Sequence, residues 1–481
     1  MAQLHLPILG LRRAVVAITA AALAGCALKA PLTHTEVVDQ ALPATTHIPP
    51  AFKVGPTDGP VADGWLKSFN DPRLEGIVAE AIAKNLDLRI AAAKVAVAQQ
   101  SVIVVGAQLM PQVGAVIGGR TTKDEDRSGT SDSTIAFVGV AWEIDVWGRL
   151  RAQRAAAEAV YEATALDYAY ARQSLAATTA KLWYLTIETR QLLELAEQSV
   201  AIYSQMLTLV QARRAAGKDS DLDVVDVRAK LESAQSEVER ARARYDEARR
   251  GLEVLLGRYP AAEIEVAGTY PALPALVGAG IPAALLERRP DIVAAEREVL
   301  AAFRNEEAAE LALLPTFSFS LVGGRLGDQV LTLLRLNPWL ASAGIGVSIP
   351  IYEGGALRAK VEIATAQQAQ AVARYGLVAL TAFREVENSL ANERLYVLQW
   401  PLEARALADR TEAVRIATVQ YKAGRRDLLW VAQLQTVALA AQADLIKLSS
   451  AQRVNRVRLH QTLGGSFDAG PAVTALRKSE E

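Results

Sequence analysis

The sequence predicts an α+β membrane protein, internally duplicated, in which pairs of strands feed very long coiled-coil helices. Three observations predict it: two halves that align at a nearly fixed offset, proline-free stretches too long for any compact domain, and strands with one oily and one small or polar face. Composition agrees. Hydrophobic residues fill 51% of the 481 positions but aromatic residues only 6%, a balance that favours long helices over a thick core. Lys plus Arg number 52 against 53 Asp plus Glu, so no global field recruits nucleic acid or an acidic membrane surface. One cysteine and four histidines (His5, His34, His47, His460) give no metal-ligand spacing and no cysteine-nucleophile arrangement. No metal, catalytic residue or noncovalent cofactor is expected.

Residues 1–25 read as a lipoprotein signal peptide. Arg12 and Arg13 precede an apolar run over 14–23, too short to span a bilayer, and the segment ends in Leu23-Ala24-Gly25-Cys26, which resembles a bacterial lipobox. Cys26, the only cysteine, stands where the thiol is acylated, so a covalent lipid is expected there. Ala27 replaces the Asp that would retain a lipoprotein in the inner membrane, which implies the outer membrane. Residues 26–63, proline-rich over 43–60, read as an extended leader. No later apolar run of ~18 residues is apparent, so a membrane crossing would have to use strands.

The duplication appears as two offsets. At 207, Gly148-Arg149-Leu150-Arg151-Ala152 falls on Gly355-Ala356-Leu357-Arg358-Ala359, Tyr168 on Tyr375, and Ala216-Gly217 on Ala423-Gly424. At 204, Asp87 falls on Asp291 and Pro111 on Pro315. The first repeat takes residues 64–262 (helix, strand pair 111–147, helix pair 148–257), and the second takes 283–466 (helix, strand pair 315–352, helix pair 355–464). A Pro- and Gly-rich linker at 263–282 joins them, and 467–481 reads as a flexible tail.

Between Gly148 and Tyr259 there is no proline, and Gly217-Lys218-Asp219-Ser220 marks a reversal between two helices. The helix before it could run about 70 residues, ~100 Å. After the turn Val224, Val227, Leu231, Ala234, Val238, Ala241, Tyr245, Ala248, Leu252 and Leu255 keep a coiled-coil beat. The second half repeats it from Val431 to Leu448; Gln452 and Asn455 then break the beat, and Pro401 is expected to interrupt the second long helix.

Ahead of the long helices, hydrophobicity alternates with period two. Val138, Val140, Trp142, Ile144 and Val146 share one face, with Gly139, Ala141, Glu143 and Asp145 opposite. Ala341, Ala343, Ile345, Val347, Ile349 and Ile351 match them in parity, and Val113, Ala115, Ile117 and Phe317, Phe319, Leu321 supply the partners. Residues 121–133 and 324–338 read as polar loops, while Glu143 and Asp145 are expected to line a lumen. Four strands cannot close a barrel, for which ~8 is the practical minimum, and lipid forbids an open edge. Several copies must therefore share one barrel; strand count alone allows any closed number from two upward.

These residues resemble the TolC-like outer-membrane efflux factors, and the lipidated OprM/NodT branch in particular. The resemblance rests on Cys26, on Gly64-Trp65 through Asn70-Asp71-Pro72-Arg73-Leu74, on Glu287-Arg288-Arg289-Pro290-Asp291-Ile292, and on the run from Ser348 to Gly355. It implies a homotrimer with one twelve-stranded outer-membrane barrel continued by a periplasmic α-barrel. It also implies export of drugs, dyes, metals or other small molecules, with a periplasmic adaptor and an inner-membrane RND-type transporter as partners. An exit duct of a metal-efflux or type I secretion system and a coiled-coil lipoprotein scaffold or tether are the competing readings. The resemblance further places the adaptor contact and the closed aperture at the helix reversals, hence at Gly217, Asp219, Ser220, Asp221 and Asp223 in the first repeat and Gly424, Arg425, Arg426 and Asp427 in the second. The same residues also read as helix caps and solvated charges. Asp–Arg pairing at these tips is the expected means of closure.

Overall fold

The computed structural model describes residues 28–54, 59, 61–124, 129–276, 278–327 and 340–468. Cys26 and the signal segment, the expected lipidation site, lie outside them, as does nearly all of the tail. In chain order come α1 (His34–Ala41), α2 (Trp65–Ser68), α3 (Pro72–Lys84), α4 (Leu86–Gly106), β1 (Gln112–Asp124), β2 (Gly129–Ile144), α5 (Arg149–Ala215) and α6 (Asp221–Leu255). The second half supplies α7 (Pro282–Arg288), α8 (Pro290–Leu311), β3 (Thr316–Gly327), β4 (Leu340–Ser348), α9 (Ala356–Lys422) and α10 (Leu428–Thr462). Both long helices hold 67 residues and both that follow hold 35, with bounds 207 apart. The duplication is exact in the helix pairs.

The chain divides into two compact units, one holding 1–46, 94–165 and 294–377, the other 47–93, 166–293 and 378–481. The first contains the sheet. Its order is β1-β2-β3-β4, all antiparallel. Pairing of β1 with β2 continues through Thr121↔Asp132 to Asp124↔Gly129, so the polar stretch expected as a loop is largely strand. Its β-branched threonines favour extended backbone, and an established hairpin register extends at little further cost in entropy. Conversely, β2 stops at Ile144 and β4 at Ser348, so Val146, Ile349 and Ile351 lie beyond the strands.

The leader is tied down rather than simply extended. Helix α1 is closed at its start by a capping box of Thr33 and Glu36, and His34 Nδ1 lies 2.9 Å from Glu296 on α8. A Cβ at Gly376 of α9 would collide with the Ala41 carbonyl, so only glycine admits this approach. In the second unit the Lys53 and Val54 amides donate to the Glu387 carboxylate at 2.9 and 3.3 Å.

Two of the motifs have local structural causes. Asn70 takes φ 49°, Asp71 caps α3 by accepting from the Arg73 and Leu74 amides, and Pro72 sits in the first turn, where its missing N–H costs nothing. The other Asp71 oxygen accepts from Trp183 Nε1 at 2.9 Å. Pro290 likewise opens α8, while buried Arg289 pairs with Asp291 (2.7 Å) and Glu385 (2.8 Å). Phe69, Leu74, Val78, Trp183, Tyr184, Leu252 and Leu256 form the main core of this unit.

Pro401 does not end α9, contrary to the sequence expectation. A proline forfeits one hydrogen bond, and packing holds the rest; beside it Trp400 Nε1 donates to Ser449 Oγ of α10 at 3.1 Å. The broken beat at Gln452 and Asn455 is a buried polar network. Asn455 donates to the Ser389 carbonyl (3.0 Å) and Glu393 (3.1 Å), Gln452 donates to the Tyr396 carbonyl, and Arg456 meets Glu393 at 2.5 Å. Arg456 also donates to the Pro274 carbonyl of the linker. In the first repeat buried Glu253 has the corresponding task of fixing a connection, accepting from the amides of Ala262, Glu263 and Ile264. Burial raises its pKa, but these donors outweigh burial and hold the carboxyl below its usual range.

His460 adds an acid-sensitive point. It is 1% exposed, stacks on Trp65 with ring centroids 5.6 Å apart, and neither ring nitrogen has a hydrogen-bond partner among the described residues. Burial, and then the Arg456 charge, push its pKa from 6.5 down to about 4. The folded state therefore disfavours the protonated ring, and stability present above pH 6.5 is lost as pH falls towards 4. Between about pH 7 and pH 5 the loss should be about 2 kcal/mol, read as a fall in melting temperature that His460→Leu abolishes. An equal fall in the variant would assign the effect elsewhere.

Candidate functional site

Two surfaces set this chain apart from an ordinary globular protein. The first is the sheet. Its register places Val113, Val140, Leu321 and Ala343 in one row, Trp142, Phe319 and Ile345 in another, and Ile144, Phe317 and Val347 in a third. Across the pleat, at the end nearer the long helices, lie Gln112, Gly114, Gly139, Ala141, Glu143, Ser318, Ser320, Gly344 and Gly346, while Val116, Phe137, Val322 and Leu340 stand farther along that face. The oily face is bare: Ile117 and Ile345 are each 78% exposed and Val113 is 71% exposed. Neither β1 nor β4 has a partner on its outer edge within the described chain. In water such a face and such edges would aggregate, whereas lipid suits the face and demands that the edges be paired.

Glu143 stands on the small polar face, where Arg149 pairs with it at 2.7 Å. Asp145 does not. It lies past the end of β2, accepts from the Leu150 and Arg151 amides at 3.1 and 3.0 Å, and takes the Arg151 side chain as well. A carboxylate just ahead of a helix is drawn to the first-turn N–H groups, so Asp145 caps α5 instead of lining a lumen with the strand.

The second surface comprises the two helix reversals. Gly217 and Gly424 take φ 70° and 73°, a left-handed conformation that glycine alone enters freely. Each turn closes identically. Gly217 and Lys218 donate to the Arg214 and Arg213 carbonyls, and Gly424 and Arg425 to those of Tyr421 and Gln420. The entries to the next helices differ, because Ser220 and Asp223 form a capping box while Asp427 alone caps α10, accepting from the Trp430 amide at 2.8 Å.

Asp–Arg pairs form at the first reversal, with arginines that precede the turn. Asp219, its side chain only 7% exposed, pairs with Arg213 at 3.0 Å and accepts the Tyr421 hydroxyl, while the Arg213 guanidinium lies 4.4 Å from the Tyr421 ring centre. Burial, followed by the Asp219 carboxylate, holds the Tyr421 phenol above its usual pKa. Asp221 pairs with Arg214 at 2.5 Å, and Asp226 with Lys230 at 2.6 Å. The neutralising cations thus come from α5 and α6. Among the described residues neither Arg425 nor Arg426 bonds an acid, and Arg426 lies over Trp430. Beneath the turns Val210, Val224, Val227, Ala417, Tyr421, Leu428 and Val431 form one core, which brings the two reversals together. Sequence reasoning missed Arg213, Arg214 and Tyr421. Their only prior signal was position, in the last turn before each glycine.

A half-oily open sheet continued by duplicated helix pairs defines a channel-wall subunit. The profile of the family described as Outer membrane efflux protein matches residues 77–258 and 281–465. The pyoverdine export outer membrane protein OpmQ of Pseudomonas aeruginosa is 30% identical over 425 residues, covering 84% of this chain and 88% of that protein. The toluene efflux pump outer membrane protein TtgI of Pseudomonas putida is 31% identical over 407 residues, covering 83% and 86%. Among solved structures, the outer-membrane channel OprN superposes with a TM-score of 0.77 at 25% identity, covering 89% of this chain and 100% of that one. The chain belongs to the outer membrane efflux protein family. It serves as an outer-membrane efflux channel, reaching into the periplasm.

One feature of α4 corrects the reading of the sequence. Residues Leu86–Leu109 are long and apolar enough to cross a membrane by composition, because alanines and valines outweigh Asp87, Arg89 and Lys94. Val97, Ile103 and Val104 are exposed along it. In a channel wall, such a face belongs against neighbouring helices.

Proposed function

We propose that three copies of the chain assemble into a passive exit duct, their twelve strands closing one barrel in the outer membrane and their helices forming its periplasmic continuation. The observation that carries this is the bare oily face of a four-stranded sheet with both edges open. Roughly 8 strands are needed for closure, so partners are obligatory, and the TolC-like resemblance supplies the number three. Cys26 carries the lipid anchor, a periplasmic adaptor grips the helix reversals, and an inner-membrane RND-type transporter loads the duct. The cargo is drugs or other small toxic compounds. OpmQ is described by pyoverdine and TtgI by toluene, chemically unlike cargoes, which fits a duct that leaves selection to its pump. No catalysis is involved; Glu143 and Asp145, the nearest carboxylate pair, are committed to Arg149 and to the start of α5.

The closed tip is held by Arg213, Asp219 and Tyr421, and adaptor binding releases it. Asp219→Ala removes hydrogen bonds to a charged group worth about 1.5–3 kcal/mol, a shift of about tenfold or more in the open population. Deleting the gene should lose resistance to part of a panel of toxic compounds, and the intact gene should restore it. In planar bilayers Asp219→Ala should raise resting conductance; an unchanged conductance would reduce Asp219 to a structural residue, and unchanged resistance after deletion would remove the efflux role.

A further inference from the structure

Within the second unit a cavity of about 470 Å³ is lined by polar side chains throughout, drawn from α5, α9, α10 and the junction of α7 with α8. Four cations face it: Lys181, Arg289, Arg384 and Arg458. Glu385 is the one acid in the lining, and it is already committed to Arg289 at 2.8 Å, as is Asp291 at 2.7 Å. Among the described residues Lys181 bonds only a neutral partner, Gln461 Oε1, at 3.2 Å. Neither Arg384 nor Arg458 has an ion-pair partner among the described residues. Three positive charges that have no ion-pair partner among the described residues thus converge from three helices on one open space. Lys181 is half-buried there, and burial, then the charge of Arg458, lowers its pKa. Like charges brought together repel one another, and for half-buried Lys181 the Glu385 carboxylate, shared with Arg289, offsets that cost only in part. An anion would offset the rest.

We propose that this cavity is an oxyanion site, which takes a phosphate or carboxylate group between Lys181, Arg384 and Arg458. Guanidinium groups suit it, because each offers two parallel N–H donors to two oxygens of one anion. Tyr170, Asn388 and Gln461 complete a rim of further hydrogen-bonding groups. The group can arrive on a free anion in solution or as a carboxylate side chain of a second copy, and only the second source rests on the proposed assembly.

The test is titration of inorganic phosphate into the purified full-length protein at constant ionic strength, with wild-type assembly recorded first on an unboiled gel. Saturable binding by the wild type, weakened about tenfold or more in K181Q/R458Q and retained in Lys181→Arg, is the result expected for a free anion. Circular dichroism checks the fold of each variant, and Arg384→Gln repeats the test should the double variant fail to fold. If the wild-type assembly binds no phosphate but K181Q/R458Q loosens it, the oxyanion is a neighbour's carboxylate. Equal phosphate binding in wild type and variants would overturn the site, as would an absence of binding together with an unaltered assembly.

Discussion

Glu393→Ala is expected to destabilise the protein by about 3–5 kcal/mol, read as a lowered melting temperature of the purified protein. Glu393 and Arg456 have side chains only 5% and 2% exposed and meet at 2.5 Å, in the place where the coiled-coil beat of α10 fails. Removing the carboxylate leaves a guanidinium buried with the Pro274 carbonyl as its remaining partner, and strips Asn455 of one acceptor. Most of the loss is the cost of an uncompensated buried charge, not the worth of the pair itself. Glu393→Leu combined with Arg456→Leu should therefore cost much less than either change alone, and the double-mutant cycle measures the difference. A loss below about 1 kcal/mol for Glu393→Ala would mean that water reaches Arg456. The pair's position explains its use. Arg456 ties α9, α10 and the inter-repeat linker at one point, so a polar break in an oily seam fixes the register of the second helix pair.

The second large effect concerns the sheet. Ile345→Arg puts a charge on the oily face, in the row shared with Phe319 and Trp142. If that face meets lipid near the middle of the bilayer, the cost is about 2–4 kcal/mol, and the assembled, membrane-inserted form should fall sharply in outer-membrane fractions. Ala141→Arg, on the opposite face beside Gln112 and Ser320, should assemble normally because that side looks into water. The reverse outcome, with Ala141→Arg excluded and Ile345→Arg tolerated, would turn the sheet inside out.

What could be read from the sequence follows from what periodicity can carry. Strand faces and helix seams repeat along the chain, so Val138, Phe319 and Ile345 fall on one side, and all ten seam positions of α6 from Val224 to Leu255 are buried or partly buried. The 207 offset predicts matching helix bounds because both repeats answer to the same packing problem. Contacts between distant segments carry no such period. Tyr421 reaches Asp219 across the two repeats, and Arg213 precedes the turn rather than lying in it, so charge counting within each turn did not reach either. Asp145 looked like one more alternating residue until the start of α5 claimed it. The threonines of 121–133 looked like loop because polarity was weighed above β-branching, and Pro401 looked like a breaker because the hold of neighbouring helices on α9 was not visible. Gln452 and Asn455 did give a signal: polar residues at seam positions mark a buried network, although Glu393 and Arg456 could not be named from it.

The central claim is that this sheet is closed only by sister copies around a water-filled bore. Purified full-length protein should be weighed in detergent by light scattering and the same sample reconstituted in a planar bilayer. A particle of three chains passing ions in uniform steps is the predicted result. A single-chain particle that leaves the bilayer insulating would contradict it.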